Sequence, residues 1–261
     1  MEISKEQISL ERSVSNTGRG KQREGEIKNG FSVVPGSYDQ SKRMMQENMK
    51  LIDIMIELVD ARIPLSSRNP DIDQLAANKS RLILLNKTDM ADERVTAQWE
   101  EYFKEKGFYV ARTNARSGKG VKGTQAIVMD ACKEKLERDR KRGIKNRPIR
   151  AMIAGIPNVG KSTFINSLVG KACTKTGNKP GVTKGKQWIK LNKNIELLDT
   201  PGILWPKFED QQVGLRLALI GSIRDEILNQ DEMAIELIEY LKNHYQGILA
   251  DRYQVDENEI K

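Results

Sequence analysis

The sequence is poor in the residues that most often hold metals or close disulfides. It has one histidine, His244, and two cysteines, Cys132 and Cys173, which lie far apart and outside any Cys-x-x-Cys or Cys/His pattern. That argues against a zinc module or a disulfide scaffold and reads as two structural thiols in a reducing compartment. His244 falls near the end of an amphipathic helical pattern, which reads as a surface position and not a catalytic one. No apolar run approaches the about 20 residues of a spanning helix, and the opening stretch MEISKEQISLERS has no apolar signal-peptide core. The expectation is a cytoplasmic chain that neither enters a membrane nor is exported. Acidic residues are missing between Lys171 and Lys190, although Lys171, Lys175, Lys179, Lys184, Lys186 and Lys190 all fall there.

The chain has 261 residues, 38% of them hydrophobic and 31% charged, with a mean hydropathy of -0.58. That length accommodates one domain of about 150 to 180 residues and a smaller appendage. A net charge of +8 and a pI near 9.3 favour a polyanionic partner, because clustered Lys and Arg gain affinity by displacing counterions from a phosphate backbone. Charge alone does not separate RNA from DNA or from anionic lipid. The lysines of 171–190 suit contact with RNA, whereas the stretch from Lys133 to Arg150 mixes acids with bases and reads equally well as a solvated face.

Residues 1–32 are polar and without period, the pattern of a disordered tail. A helical segment over Gln46 to Leu51 precedes a buried strand over Leu51 to Val59, and a second buried strand, Arg81 to Leu85, runs into Asn86. A helix with Val95, Trp99, Tyr102 and Phe103 on one side follows, then a strand near Phe108 to Thr113 and a helical stretch from Val121 to Arg142. Strands over Ile149 to Ala154, Gln187 to Leu191 and Ile195 to Leu198 complete an α/β pattern whose crossovers predict a mainly parallel sheet covered on both faces. Beyond Pro206 the pattern is helical, with Ala234, Leu237, Ile238, Leu241 and Tyr245 in one apolar stripe. The expected organisation is a tail over 1–32, an α/β domain over 33–205 and a helical unit over 206–261.

Gly155-Ile-Pro-Asn-Val-Gly160-Lys161-Ser162 fits G-x-x-x-x-G-K-[ST] between a predicted strand and a predicted helix, the context of a phosphate-binding loop. The amides from Asn158 and Val159 through Gly160, Lys161, Ser162 and Thr163 can cradle phosphate oxygens, helped by the partial positive charge of a helix N-terminus. Lys161 is expected on the β- and γ-phosphates, and the Ser162 hydroxyl on Mg²⁺. Asp199-Thr-Pro-Gly202 closes a buried strand, which places Asp199 at the metal and offers the Gly202 amide to the γ-phosphate. Thr183 is the natural second hydroxyl ligand of Mg²⁺.

Asn86-Lys-Thr-Asp89 separates GTP from ATP. Guanine presents N1–H and an exocyclic N2 amine as adjacent donors, and the Asp89 carboxylate accepts from both, whereas adenine lacks that pair. Asn86 can bond the N7 side and tie the loop, and the Lys87 stem can cover the base. Asn114-Ala115-Arg116 resembles the S-A-K element that supports guanine O6 through a backbone amide. Asn158 admits two readings, the former of a turn or, by resemblance to similar GTPases with an Asn at this place, a residue that helps hold K⁺ beside the phosphates.

These elements occur in rotated order: the base-reading motifs at 86 and 114 precede the phosphate loop at 155, Thr183 and the motif at 199. With that order, and with the strings Leu58-Val-Asp-Ala-Arg-Ile-Pro-Leu-Ser-Ser-Arg-Asn-Pro70 and Asp199-Thr-Pro-Gly-Ile-Leu-Trp-Pro-Lys-Phe208, the chain resembles the ribosome biogenesis GTPase A family of bacterial circularly permuted GTPases from about residue 35 onward. The resemblance implies a P-loop GTPase three-layer sandwich with a helical C-terminal unit. It also implies a cytoplasmic factor that binds GTP or GDP, Mg²⁺ and K⁺, and acts late in large (50S) subunit assembly. Its partners would be the large-subunit precursor and rRNA, with no DNA or membrane, and it would be a monomer off the ribosome. Where the family carries Trp-Phe-Pro-Gly-His-Met, this chain reads Val33-Val-Pro-Gly-Ser37-Tyr38, so Ser37 replaces a histidine implicated in hydrolysis. Ile203, directly after the Asp199 motif, stands where many GTPases carry a water-orienting Gln. A second reading is therefore a nucleotide-gated RNA-binding switch that barely hydrolyses GTP. A third, an ATPase or small-molecule kinase, is disfavoured by Asp89.

Overall fold

The computed structural model describes residues 35–144, 147–174, 187–202, 204–205, 208, 210–223 and 229–256, with side chains from Tyr38 onward. Thr183, Ile203, the tail expected over 1–32 and the side chain of Ser37 lie outside the described residues. The chain divides into two compact units, Ser32–Glu209 and one containing Asp210–Lys261.

In the first unit, α1 (Pro35–Met49) leads into β1 (Ile54–Asp60), α2 (Asp71–Leu75), β2 (Ser80–Asn86), a 3-10 turn (Thr88–Met90), α3 (Glu93–Glu105) and β3 (Tyr109–Thr113). Then come α4 (Thr124–Ala131), α5 (Lys133–Lys141), β4 (Ile149–Ala154), α6 (Lys161–Val169), β5 (Gln187–Lys190) and β6 (Ile195–Asp199). The strands form one sheet in the order β3-β2-β1-β4-β6-β5, parallel throughout except for β5, which runs antiparallel to β6. Every residue of β1 is buried, as a central strand covered on both faces requires. One face is covered by α1, whose Tyr38, Met45 and Met49 join Met55, Met152, Ala154 and Leu198 in a single core cluster. From α6, Phe164, Ile165 and Leu168 are buried, each contributing about 1.5 to 3 kcal/mol relative to exposure.

Several boundaries differ from expectation for identifiable reasons. The strand expected from Leu51 begins at Ile54, because the Leu51 and Ile52 amides close the end of α1 on the carbonyls of Asn48 and Met49. The helix expected over Val121 to Arg142 is two helices broken at Cys132, whose ψ of 7° leaves the helical region. Ser80 Oγ donates 2.8 Å to the Ala131 carbonyl and satisfies an acceptor at that break. α3 begins on an N-cap, with Asp92 accepting from the Arg94 and Val95 amides, and buries Thr96, Trp99 and Phe103.

Glu57 lies in the middle of β1, almost fully buried, and its Oε2 accepts from Arg68 and Arg81 at 3.1 to 3.2 Å. Both guanidinium groups also stack on Phe108, at 5.1 and 4.9 Å from its centroid.

The second unit contains α7 (Gln211–Leu219), α8 (Gln230–His244) and α9 (Ile248–Tyr253). α7 is capped by Asp210 and buries Leu215, Leu217 and Ala218. The apolar stripe expected along α8 is present in sequence, yet none of its residues is buried and Leu237 is exposed. His244 stays partly exposed, its ring 4.4 Å from that of Tyr240.

Candidate functional site

In the first unit the chain turns to one side of the sheet after β1 and to the other after β4, and these two strands are neighbours. Open α/β sheets bind ligands outside the carboxyl ends of their strands at such a switch point. Here the carboxyl ends of β1, β2, β3, β4 and β6 deliver Asp60, Asn86, Asn114, Gly155 and Asp199 to the same edge. Motifs separated by more than a hundred residues of chain thus meet at one edge.

The loop from Gly155 to Gly160 runs from β4 into α6. Gly160, the residue before α6, has φ of 101°, and a Cβ there would lie 2.6 Å from Asn86 Nδ2. The Asn86 amide donates 2.8 Å to the Val159 carbonyl, while its Oδ1 accepts from the Ala115 amide at 3.0 Å and from Thr113 Oγ1 at 3.2 Å. One buried side chain therefore laces the phosphate loop, the end of β3 and the Asn114-Ala-Arg segment together. The Ala115 amide, one of the backbone amides in the segment that resembles the O6-supporting element, donates here to Asn86. Asn114 Oδ1 accepts from the Arg116 and Ser117 amides and shapes that turn. Asn158 has φ of 58°, a left-handed conformation that Asn tolerates better than most residues, which fits its reading as the former of a turn.

Lys161 opens α6 with its ammonium buried, donating to the carbonyls of Gly155 at 2.8 Å and Ile156 at 3.1 Å. Burial pushes its pKa down to about 8, opposed by the charge of Asp199. Asp199 is fully buried, and neither carboxylate oxygen meets a hydrogen-bond partner among the described residues. Burial pushes its pKa up to about 6, against the opposing pull of Lys161 and the weak influence of the Thr200 amide. A buried, unpartnered carboxylate beside a buried ammonium is costly unless a ligand completes it, and a hard cation fits an oxygen donor of this kind. Thr200 Oγ1 donates 2.8 Å to the Ile153 carbonyl, which fastens this segment to β4. A Cβ on Gly202 would lie 2.9 Å from Pro157 Cα and 3.0 Å from Lys161 Nζ, so glycine is required for the two loops to approach. Downstream of Ser162, Asn166 gathers the amides of Cys173 and Thr174, and Thr174 Oγ1 donates to the Ser162 carbonyl. The thiol of Cys132 is buried away from this edge and pushed up to about 12, first by burial and then by Asp53, a structural thiol as read from the sequence.

Asp89 is exposed in the turn after β2, and Lys87 stands just before it with φ of 62°. Lys87 Nζ lies 3.0 Å from Oδ2 of Asp60, a residue to which the sequence assigns no role. Asp60 is fully buried and accepts from Arg62 Nε and Nη2 at 2.8 Å each. Burial would raise its pKa, yet Arg62 and Lys87 together hold it below the usual carboxylate value. The signal for Asp60 was its place at a strand's carboxyl end; its partner 27 positions later was not legible.

Of the basic stretch from Lys133, several charges are internally paired. Lys135 and Arg147 reach Asp53 and Asp139, and Arg150 reaches Glu196. Lys171 and Lys190 are exposed, and the lysines between them lie outside the described residues.

Residues 150–251 match the family model described as a 50S ribosome-binding GTPase. The chain is 54% identical over 223 residues to ribosome biogenesis GTPase A of Bacillus cereus, an alignment covering 85% of this chain and 75% of that protein. Among solved structures it resembles GNP-bound YlqF from Thermotoga maritima, with a TM-score of 0.54, 28% identity, and coverage of 83% of this chain and 77% of the other. A GDP-bound YlqF structure gives a TM-score of 0.55 and 29% identity over 78% of each chain.

Proposed function

This chain belongs to the ribosome biogenesis GTPase A family, and on that premise we propose that it is a GTP-hydrolysing assembly factor for the large ribosomal subunit, switched on and off its particle by the nucleotide. The observation that carries the nucleotide part is the lacing of the phosphate loop to the base-reading loops through Asn86, which lets a change at the phosphates be felt at both ends of the ligand. In this reading the amides of Asn158 through Thr163 and the Lys161 ammonium bind the phosphates, the Gly202 amide meets the γ-phosphate, and Asp89 reads the guanine edge. Asp199 with Ser162 and Thr183 would hold Mg²⁺, which when bound neutralises charge on the β- and γ-phosphate oxygens. The fit of Asp199 rests on its two buried oxygens, which meet no partner among the described residues. A K⁺ ion beside Asn158 is the remaining cofactor of this reading and rests on the resemblance. No described helix is long and apolar enough to cross a membrane, and a basic chain of this kind suits a particle rich in RNA phosphate.

The test is co-sedimentation with purified large-subunit particles under defined nucleotide. Wild-type protein is expected to associate with a non-hydrolysable GTP analogue and to dissociate with GDP. In Asp89→Asn, the amide no longer accepts from both N1–H and N2–H of guanine but can donate to the 2-oxo group of xanthine. Loss of one charge-assisted pair costs about 1.5 to 3 kcal/mol, roughly 10- to 150-fold in GTP affinity, so the variant should follow xanthosine rather than guanosine nucleotides. Sedimentation that ignores the nucleotide in both proteins would defeat the switch.

The perturbed groups predict a pH window for binding of the Mg²⁺–nucleotide complex. Asp199 must be ionised to serve the metal, so below its pKa of about 6 binding requires release of a proton and weakens by up to about tenfold per pH unit. Lys161 must be charged to serve the phosphates, so above its pKa of about 8 binding requires uptake of a proton and weakens again. Titration calorimetry in buffers of different ionisation enthalpy should show proton release on the acid side and uptake on the alkaline side. A flat affinity from about pH 5 to about pH 9 would show that neither shift bears on the ligand.

A further inference from the structure

The turn after β1 carries a charge cluster that the GTPase motifs leave unexplained. Asp60 ends the strand with no solvent exposure, and four groups from two segments converge on it. Arg62 supplies two side-chain hydrogen bonds at 2.8 Å and a longer one from its amide, and Lys87 supplies an ammonium at 3.0 Å. The backbone is fastened too: the Asp60 amide donates to Ser67 Oγ at 2.9 Å, and the Ala61 amide donates to the Asn86 carbonyl at 2.9 Å. The turn is thereby stitched to the strand end from which Asn86, Lys87 and Asp89 emerge.

Lys87 itself is held in an uncommon state. Its backbone is left-handed, with φ of 62° and ψ of 35°, a conformation that costs a non-glycine residue energy and persists where the surroundings enforce it. A lysine side chain has four rotatable carbons and large rotamer entropy, so a lysine expected to cover a ligand gains by being fixed beforehand. Its ammonium is pinned to a carboxylate with no solvent around it, and its stem is thereby restricted. Asp89, two residues on, also adds to the field that keeps Arg62 charged, which places the cluster beside the base-reading carboxylate.

We propose that Asp60 is a positioning residue for guanine recognition: it anchors the Lys87 ammonium so that the Lys87 stem is preorganised as one wall of the base site, with Arg62 holding the Asp60 carboxylate in place. This rests on the reading of Asn86 to Asp89 as the guanine-reading segment. Asp60 acts through Lys87 and does not touch the nucleotide, so its contribution must vanish when the Lys87 ammonium is absent.

The experiment is a double-mutant cycle on the full chain, with dissociation constants for a fluorescent GDP measured for wild type, Asp60→Asn, Lys87→Met and the double variant. Each single change is expected to weaken binding roughly tenfold, and the double variant no further than the weaker single one. Wild-type affinity in Asp60→Asn, or a double variant whose loss is the product of the two, would overturn the proposal. Should Asp60→Asn fail to fold, Lys87→Met and Lys87→Arg carry the test. Arginine can keep the ion pair with Asp60 and should bind within about threefold of wild type, whereas methionine keeps the stem and loses the anchor. GDP bound as tightly by Lys87→Met as by wild type would then sink it. Asp89→Asn serves as the separate control: if that variant does not shift preference from guanine to xanthine, the base reading itself fails, whatever Asp60 does.

Discussion

Replacing Glu57 with alanine is expected to destabilise the first unit by about 3 to 5 kcal/mol, because it strands two arginines that are themselves mostly buried. Side-chain exposure is 1% for Glu57 and 12% for each of Arg68 and Arg81, so solvent cannot take over the lost charge. Phe108, on which both guanidinium groups lie, cannot replace a carboxylate. For a domain of this size each kcal/mol moves the melting temperature by about 2 to 4 °C, so a fall of roughly 6 to 20 °C should appear in thermal denaturation followed by circular dichroism. Asp73 offers the internal comparison. It pairs with the same two arginines but is 55% exposed, and Asp73→Ala should cost less than about 1 kcal/mol. Equal melting temperatures for the two variants would show that burial of Glu57 is not what gives the network its weight. Glu57 Oε1 and Arg81 Nε find no partner among the described residues, so the cluster is incompletely satisfied, and replacing all of its charges together with apolar groups should cost far less than removing Glu57 alone.

Turnover of GTP by the isolated protein is expected to be slow, and large-subunit particles are expected to accelerate it by about 10² to 10⁴-fold, the range that positioned acid or base assistance commonly supplies. Phosphoryl transfer depends on positioning and charge stabilisation, and in the proposed site Lys161, Asp199 and the loop amides would meet those needs for binding without providing a group that orients water. Sequence places Ser37 where the family has histidine and Ile203 where many GTPases have Gln, and neither residue is an effective base at neutral pH. The residue that follows position 37 is fixed in the core. Tyr38 is buried in the cluster that includes Ala154 and Leu198, from the strands that deliver the phosphate loop and Asp199, and its hydroxyl donates to Asp71. Ser37→His should therefore raise the particle-free rate while leaving GTP affinity within about threefold. Single-turnover measurements with and without particles, in KCl and in NaCl at equal ionic strength, separate these contributions. Rapid turnover without particles, unmoved by Ser37→His, would refute the account, and equal rates in the two salts would remove K⁺ from it.

Much of this architecture was legible in the sequence because its signals are local. A strand, a glycine loop and a helix follow one another within residues 149–169, and the motifs at 86 and 199 each close an apolar run. Contacts between distant segments were not. The hydroxyl that satisfies an acceptor at the Cys132 break comes from position 80, and the carboxylate paired with Lys87 comes from position 60. Glu57 lies inside the strand read as buried, and its partners at 68 and 81 come from two different segments. The stripe on α8 shows that apolar periodicity marks a face without guaranteeing that the face is buried.

The sheet order has a temporal side. Synthesis proceeds from the amino terminus, so β1, β2 and β3 leave the ribosome as a contiguous trio well before β4, the other neighbour of β1, has been made. Until residues 149–154 arrive, one flank of a fully buried strand has no partner, and the Asn86 amide has no Val159 carbonyl to meet. In a P-loop GTPase whose motifs are not rotated, the phosphate loop is made first and the base-reading loop closes the site. With the roles proposed above, the base-reading half here waits for the phosphate half, and the nascent chain would not hold a nucleotide by both ends until the segment from Gly155 to Ser162 has been translated.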